Sequence, residues 1–288
     1  MTYKLDSKEK TSKQFNQRRT FVVGDTHGRT DMKKINKWYG KNIDKLTQDD
    51  VVIQLGDWGA LWYYKNDVYK YKKDVELQIK WAKKKFTLAV VLGNHENYDL
   101  VEALPIEEKW GGKVRVLTPK NPYNQKTYGP IYLLERGEIY TINGKTFLAL
   151  GGAKSQDLGM RILGESYWDQ ELWTSAQENN CIDNLDKVDW EVDYVVAHTC
   201  PEVVGNIILD SSGPIRMSND KYFSSSAKVK DPLSKFFTFL VNDGLKFDQW
   251  HFGHWHEDTI FNMYNQDLGI DHLYQCHYLK EPFELNKR

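Results

Sequence analysis

The chain has 288 residues, 40% of them hydrophobic, which fits one α/β domain with a sizeable core. Its formal net charge of −1 gives no general attraction to nucleic acid or to an anionic membrane, though a local basic groove stays compatible with it. Three cysteines, Cys181, Cys200 and Cys276, show no zinc-type spacing and fit a reducing cytoplasm, and no apolar run approaches the ~20 residues of a membrane span. Residues 1–19 are polar, mixed in charge and without a signal-peptide centre, so they read as an arm before a single domain over 20–288.

From there the first half alternates. Thr20–Gly24 reads as a strand, and Thr30 or Asp31 is placed to cap a short helix through Trp38. Val51–Leu55 is a second strand. Asn66–Lys85 is predicted helical because Val68, Tyr71, Val75, Ile79 and Ala82 form one apolar stripe. Leu88–Leu92 is a third strand, which completes a parallel βαβαβ unit with right-handed crossovers. Ile131–Ile142 and Lys145–Gly151 are β-rich and joined by Asn143-Gly144, the strongest short hairpin signal, so antiparallel pairing enters after about residue 130. Gly151–Trp168 reads as a loop, Asp169–Val188 as a helix and Tyr194–Ala197 as a strand. Thr199–Val229 is long and rich in Ser, Gly and Asn, as functional insertions are. A helix over Asp231–Val241 and strands near Trp250, Ile260 and Tyr274 follow. The pattern predicts α/β architecture with two sheets packed face to face and helices outside.

Five short strings punctuate this plan: Gly24-Asp25-Thr26-His27-Gly28, Gly56-Asp57, Gly93-Asn94-His95-Glu96, Ala197-His198-Thr199 and Gly253-His254-Trp255-His256. Each follows an apolar run. Buried parallel strands deliver their C-terminal ends to one edge, where α/β proteins build sites. Hard oxygen and imidazole nitrogen therefore converge there without thiolate, a donor set suited to two divalent ions with a carboxylate between them.

In this order the strings resemble the calcineurin-like metallophosphoesterases, and the likeness runs from Gly24 to His256. The resemblance implies a four-layer α/β/β/α sandwich of two mixed sheets flanked by helices. It implies a first ion on Asp25, His27 and His256 and a second on Asn94, His198 and His254, with Asp57 touching both. The ions implied are manganese, iron or zinc. It casts His95 as the group that faces the substrate and assists the leaving oxygen, which departs poorly unprotonated. Glu96 is expected to orient the site as an acceptor. His251, His272 and His277 read as structural or surface residues, and Cys200 as a small buried hydrophobe.

Protein Ser/Thr phosphatases of this superfamily extend the second string to Gly-Asp-x-x-Asp-Arg-Gly. Here Ala60 and Leu61 stand in the Asp and Arg places, which argues against that branch and leaves open what orients His95. A replacement phosphate grip is sought in Gly151–Trp168, a stretch that with Glu171 resembles bacterial and phage members. Arg161 is its first candidate, with Lys154 and Arg29 behind it. Trp58, Trp62, Tyr63 and Tyr64 could wall a cleft, although packing is the plainer role. The expected activity is hydrolysis of a phosphomonoester: a phosphorylated small molecule, nucleotide or phosphopeptide. A phosphodiesterase or nuclease is the alternative, which the charge balance does not favour for long nucleic acid. A non-catalytic binding module is disfavoured because every ligand position is filled.

Overall fold

The computed structural model describes residues 18–211, 229–265 and 269–285. The first sheet takes β1 (Thr20–Val23), β2 (Val51–Leu55), β3 (Thr87–Val91), β4 (Ile106–Lys109), β5 (Gly112–Leu117), β6 (Ile131–Leu134) and β13 (Phe283–Glu284). Its order is β13-β1-β2-β3-β6-β5-β4, with β1, β2, β3 and β6 parallel and the outer strands antiparallel. The second sheet takes β7 (Ile139–Ile142), β8 (Lys145–Leu150), β9 (Glu191–Ala197), β10 (Lys246–Phe252), β11 (Thr259–Asn265) and β12 (Ile270–Cys276), in the order β11-β12-β10-β9-β8-β7. Its four inner strands are parallel and its two edges antiparallel.

Alternation along the strands builds four layers. Val22, Ile53, Leu55, Ala89 and Val91 face Phe147, Ala149, Tyr194 and Val196 across the sheets. Their neighbours Phe21, Val23, Val52, Leu88 and Val90 face the other way, onto α1 (Met32–Asn42), α2 (Val68–Ala82) and α3 (Tyr98–Glu102). Leu148, Leu150, Val195 and Ala197 likewise meet α4 (Ser175–Asp186), α5 (Glu202–Ser211) and α6 (Pro232–Asn242). A strand buried on both faces is mostly apolar, which is why β1, β2 and β3 read as apolar runs, with buried Gln54 in β2 bonded to Gly56.

Several boundaries differ from the sequence reading for physical reasons. Ile131–Ile142 is two strands in two sheets, because the chain crosses between layers around Gly137, whose φ of +73° suits glycine. Antiparallel pairing enters earlier, at β4 and β5, joined by Trp110-Gly111 with φ of 55° and 88°. Asn143-Gly144 adopts the predicted turn, with φ of 52° and 81°. On α2 the expected stripe holds at Val75 and Ile79, but Val68 is exposed and the sheet-facing contacts come from Leu77 and Trp81. The predicted helix over Asp169–Val188 begins only at Ser175, capped by Thr174 and Gln177 in a capping box, after a single 3₁₀ turn at Asp169–Glu171. Of the expected insertion, Glu202–Ser211 is helix α5 and 212–228 lies outside the described residues, as do residues 1–17 of the arm.

Phe147 is fully buried between the sheets and stacks on Tyr194, ring centroids 5.0 Å apart. Phe147→Ala is expected to cost about 3–5 kcal/mol in chemical denaturation. A loss below about 1 kcal/mol would mean that the two sheets do not share a packed interior there.

Candidate metal centre

The C-terminal ends of β1, β2, β3, β9 and β10 meet at one edge, where the two sheets are stitched together. Thr26 and His27 N–H donate to the Asp57 carbonyl, at 3.2 and 2.9 Å, which joins the first two strings. His198 sits at the end of β9 in the second sheet, yet its Nδ1 donates to the Leu55 carbonyl at the end of β2 in the first, at 2.8 Å. The His254 N–H reaches both carboxylate oxygens of Asp25, at 3.2 and 3.1 Å.

Glycine at the head of the strings has a steric cause. A Cβ on Gly56 would strike the His198 ring, one on Gly93 would strike Asp57, and one on Gly253 would strike the Asp25 carboxylate. Each small residue makes room for a predicted ligand from another strand end. The ligands themselves are bent: His27, Asp57, His254 and His256 have φ of 42°, 51°, 66° and 53°. Left-handed backbone costs a non-glycine residue roughly 1–2 kcal/mol. Such strain collects where a site over-determines geometry.

All seven predicted ligands come together. Asp25, His27 and His256 form one group, and Asp25, Asp57 and His198 another, each with candidate ligand atoms within 4.8 Å of one another. His27 Nε2 lies 3.9 Å from Asp25 Oδ2 and 3.5 Å from Asp57 Oδ2. His256 Nε2 lies 3.5 Å from Asp25 Oδ2. His198 Nε2 lies 3.2 Å from Asp57 Oδ1 and 2.9 Å from Asn94 Oδ1. The His254 ring packs 5.0 Å from that of His198. The donor set, the cradle of glycines and the outer partners that aim the His27 and His198 rings all suit divalent ions.

Charge is balanced within this cluster. Burial works against protonating His27, yet Asp57, Asp25 and Asp31 together lift it to about 9. Burial likewise opposes protonation of His198, which Asp57 and Asp25 lift to about 9. Burial would raise Asp57, but His198, His95 and His27 hold it well below the carboxylate range. Burial, then the neighbouring His198, pushes His254 down to about 3, leaving a neutral imidazole.

The outer residues are those that sequence reasoning largely missed. Asp31 does not cap α1 with its side chain; it accepts from His27 Nδ1 at 2.7 Å and aims Nε2 into the site. An acid four residues after a predicted ligand was the available signal. Glu96 accepts the Trp58 N–H at 2.7 Å and so ties down the loop after Asp57; burial, with Asp57 beside it, raises this acid to about 8. His95 is orientated by its own N–H bond to Asp57 Oδ1, at 2.8 Å, and by Arg161, whose guanidinium lies 2.9 and 3.2 Å from its two ring nitrogens. Arg161 is held in turn by Asp157 at 2.5 Å and the Ser166 carbonyl at 2.7 Å.

Two of the three grip candidates are placed differently. Arg29 turns onto α2, bonding Glu76 at 2.9 Å and the Lys73 carbonyl at 3.2 Å, so its charge is taken up at the surface. Half-buried Lys154 lies beside Asp231. Ala60 and Leu61 are buried in the core under the helices, with no room for a phosphate-binding Arg. Trp58 is buried with them and Trp62 packs edge-on against Trp168, whereas Tyr64 is exposed and donates to Asp99, and Tyr63 lies under the Lys70 ammonium. His251 and His277 form a buried pair 2.9 Å apart and His272 stacks on Phe247. Cys200 is buried, which raises its thiol well above the usual range.

An α/β/β/α sandwich with Asp, Asn and His gathered at its strand ends is the build of a metal-dependent phosphoesterase. The model of the calcineurin-like phosphoesterase family matches residues 18–258, and the chain belongs to that family. No curated protein matches it. Among solved structures it is similar to the phosphopantetheinyl hydrolase PptH from Mycobacterium tuberculosis, at 12% identity and a TM-score of 0.44, over 95% of this chain and 97% of that one. Among the described residues no helix is long and apolar enough to cross a membrane.

Because His27 and His198 carry protons up to about 9, a divalent ion has to displace them. Metal added to chelator-stripped protein at neutral pH is expected to release protons, and apparent affinity to climb with pH until about 9. Calorimetry in buffers of differing ionisation enthalpy reads this directly. Uptake with no proton release and no pH dependence would remove both histidines from the ligand set.

Proposed function

We propose that the protein hydrolyses phosphate monoesters at two divalent ions, manganese, iron or zinc. One observation carries this: the buried Asp57 carboxylate turns Oδ2 toward His27 and Oδ1 toward His198. That is the posture of a carboxylate shared by two ions. Asp25, His27 and His256 would hold the first ion, and Asn94, His198 and His254 the second. Asp25 also approaches His198, but at 4.0 Å from an Nδ1 already given to Leu55, so it belongs to the first group. Ions bound there lower the pKa of a coordinated water and neutralise charge on phosphoryl oxygens.

The remaining work falls to His95 and Arg161. His95 stands beside the cluster with its side chain 31% exposed, open to an entering ester. It donates a proton to the leaving oxygen. Arg161 meets the non-bridging oxygens with its planar fork. Burial first, and the Arg161 cation with it, hold His95 below its usual range. A phosphate anion paired with Arg161 offsets that cation and makes His95 easier to protonate as substrate binds. A monoester carries one more anionic oxygen than a diester, and Arg161 supplies a charge for it. No thiol competes as nucleophile, since Cys181, Cys200 and Cys276 are all buried.

An aryl phosphate and its bis-aryl diester test the substrate class. The monoester is expected to turn over faster, with activity lost to a chelator and restored by metal; preference for the diester would support the alternative phosphodiesterase. His95→Ala is expected to lower kcat by ~10²–10⁴-fold for an alkyl phosphate, with metal content kept, and by much less for a nitrophenyl ester. Equal losses on both substrates would take the leaving-group role from His95.

Arg161→Ala is expected to raise KM if the grip forms in the ground state, or to lower kcat if it tightens in the transition state. Arg161→Lys should recover only part, because an ammonium cannot make two parallel bonds. Unchanged kinetics would leave Arg161 as a prop for His95 alone.

A further inference from the structure

Behind Asn94 runs a buried chain of side chains that the proposed chemistry does not itself use. Asn94 Nδ2 donates to Ser155 Oγ at 3.0 Å, and Ser155 Oγ donates to Glu171 Oε2 at 2.7 Å. Glu171 Oε1 accepts the Ser155 backbone N–H, also at 2.7 Å. Asn94, Ser155 and Glu171 are 3%, 2% and 2% exposed, so water does not substitute for these bonds. On its other side Asn94 places Oδ1 2.9 Å from His198 Nε2.

A carboxamide has nearly the same shape either way round, but only its oxygen has lone pairs for a cation. Turned over, Asn94 would present two N–H groups to the site and could not be a ligand. What sets its direction is proton counting along the chain. A backbone N–H can only donate, so it claims one oxygen of Glu171. While Glu171 is ionised, its other oxygen takes the single hydroxyl proton of Ser155. Ser155 Oγ then has only lone pairs left to offer, and it selects the NH₂ end of Asn94. The oxygen is thereby turned to face His198 and Asp57.

Resting on the reading of Asn94 as a ligand, we propose that Ser155 and Glu171 are positioning residues that fix the polarity of the Asn94 amide. The segment after β8 is then divided between two tasks. Its start serves the second ion through Ser155, and Arg161, six residues on, serves the substrate.

The test is a double-mutant cycle read by metal content and by the thermal shift on adding manganese, with circular dichroism as the control for folding. An aspartate at position 94 offers oxygen whichever way its carboxylate turns, so polarity no longer matters there. Ser155→Ala is expected to weaken the second ion about 10–100-fold in the natural background. In the Asn94→Asp background the same change should act within about twofold. Ser155→Thr keeps the hydroxyl and should restore binding. Glu171→Gln can donate to Ser155, freeing the hydroxyl proton for Asn94 Oδ1, and should weaken the second ion as Ser155→Ala does. An equal loss in both backgrounds would overturn the proposal and leave Ser155 as packing. Full retention of both ions by Asn94→Ala would instead remove the ligand reading beneath it.

Discussion

Asp57 is a carboxylate with almost no contact with water, and the site is arranged around the cost of keeping it charged there. An isolated buried carboxylate would take up a proton rather than remain ionised. Asp57 stays charged because His198, His95 and His27 surround it and because the His95 backbone N–H bonds its Oδ1. Those partners come from three strand ends in two sheets. The Asp57 backbone carbonyl meanwhile anchors the string that carries His27. One charged group thus ties the layers together at the edge where chemistry takes place. The same arrangement is poised to exchange protons for metal, since cations of either kind satisfy it.

That convergence is costly in conformational terms. Four predicted ligands sit in left-handed backbone, and glycines precede two of them, Asp57 and His254, because no other residue leaves room. A fold can carry such strain only where surrounding bonds over-determine it. Here the surroundings supply them. Asp31 holds the His27 ring, Leu55 holds His198, and Glu96 holds the loop that follows Asp57. The apolar layers on both faces of each sheet fix the strand ends from which these loops spring. Strand burial and ligand placement are therefore one design, seen at the two ends of each strand.

This explains what the sequence made legible. A strand buried on both faces is mostly apolar, and a strand end packed against a ligand from another strand often carries glycine there, as at Gly56, Gly93 and Gly253. Both tendencies leave short local strings, so β1, β2, β3, β9, β10 and the strings that carry the seven expected ligands could be read directly. The supporting shell leaves no such trace. Ser155 and Glu171 are sixteen residues apart, and only the fold brings them onto Asn94. Asp31 looked like a helix cap because Asp commonly is one, but its carboxylate is claimed by His27. Arg29 stood close to the site in sequence and was drawn away by Glu76 on α2. The strands β4 and β5 escaped notice because β4 is an exposed edge with charged residues and little apolar signal.

The substitution of Ala60 and Leu61 for an Asp-Arg pair then has a structural meaning. Both side chains are packed under the helices with Trp58, Leu77 and Trp81, on the first sheet's outer face. A guanidinium placed there would lose its water, a penalty of several kcal/mol unless it is paired, and the nearby Asp74 carboxylate already accepts from the Trp62 and Tyr63 N–H groups. Arg161 reaches His95 from the segment that leaves β8 in the second sheet, with Asp157 as its own acid. Ligands to an ion would be confined by the geometry the ion demands. A cation that grips phosphate need only reach the anion, so it can be supplied from whichever sheet has a loop long enough to return over the site. On the proposed reading, the first sheet would supply Asp25, His27, Asp57 and Asn94 as ligands, and the second the arm that carries Arg161.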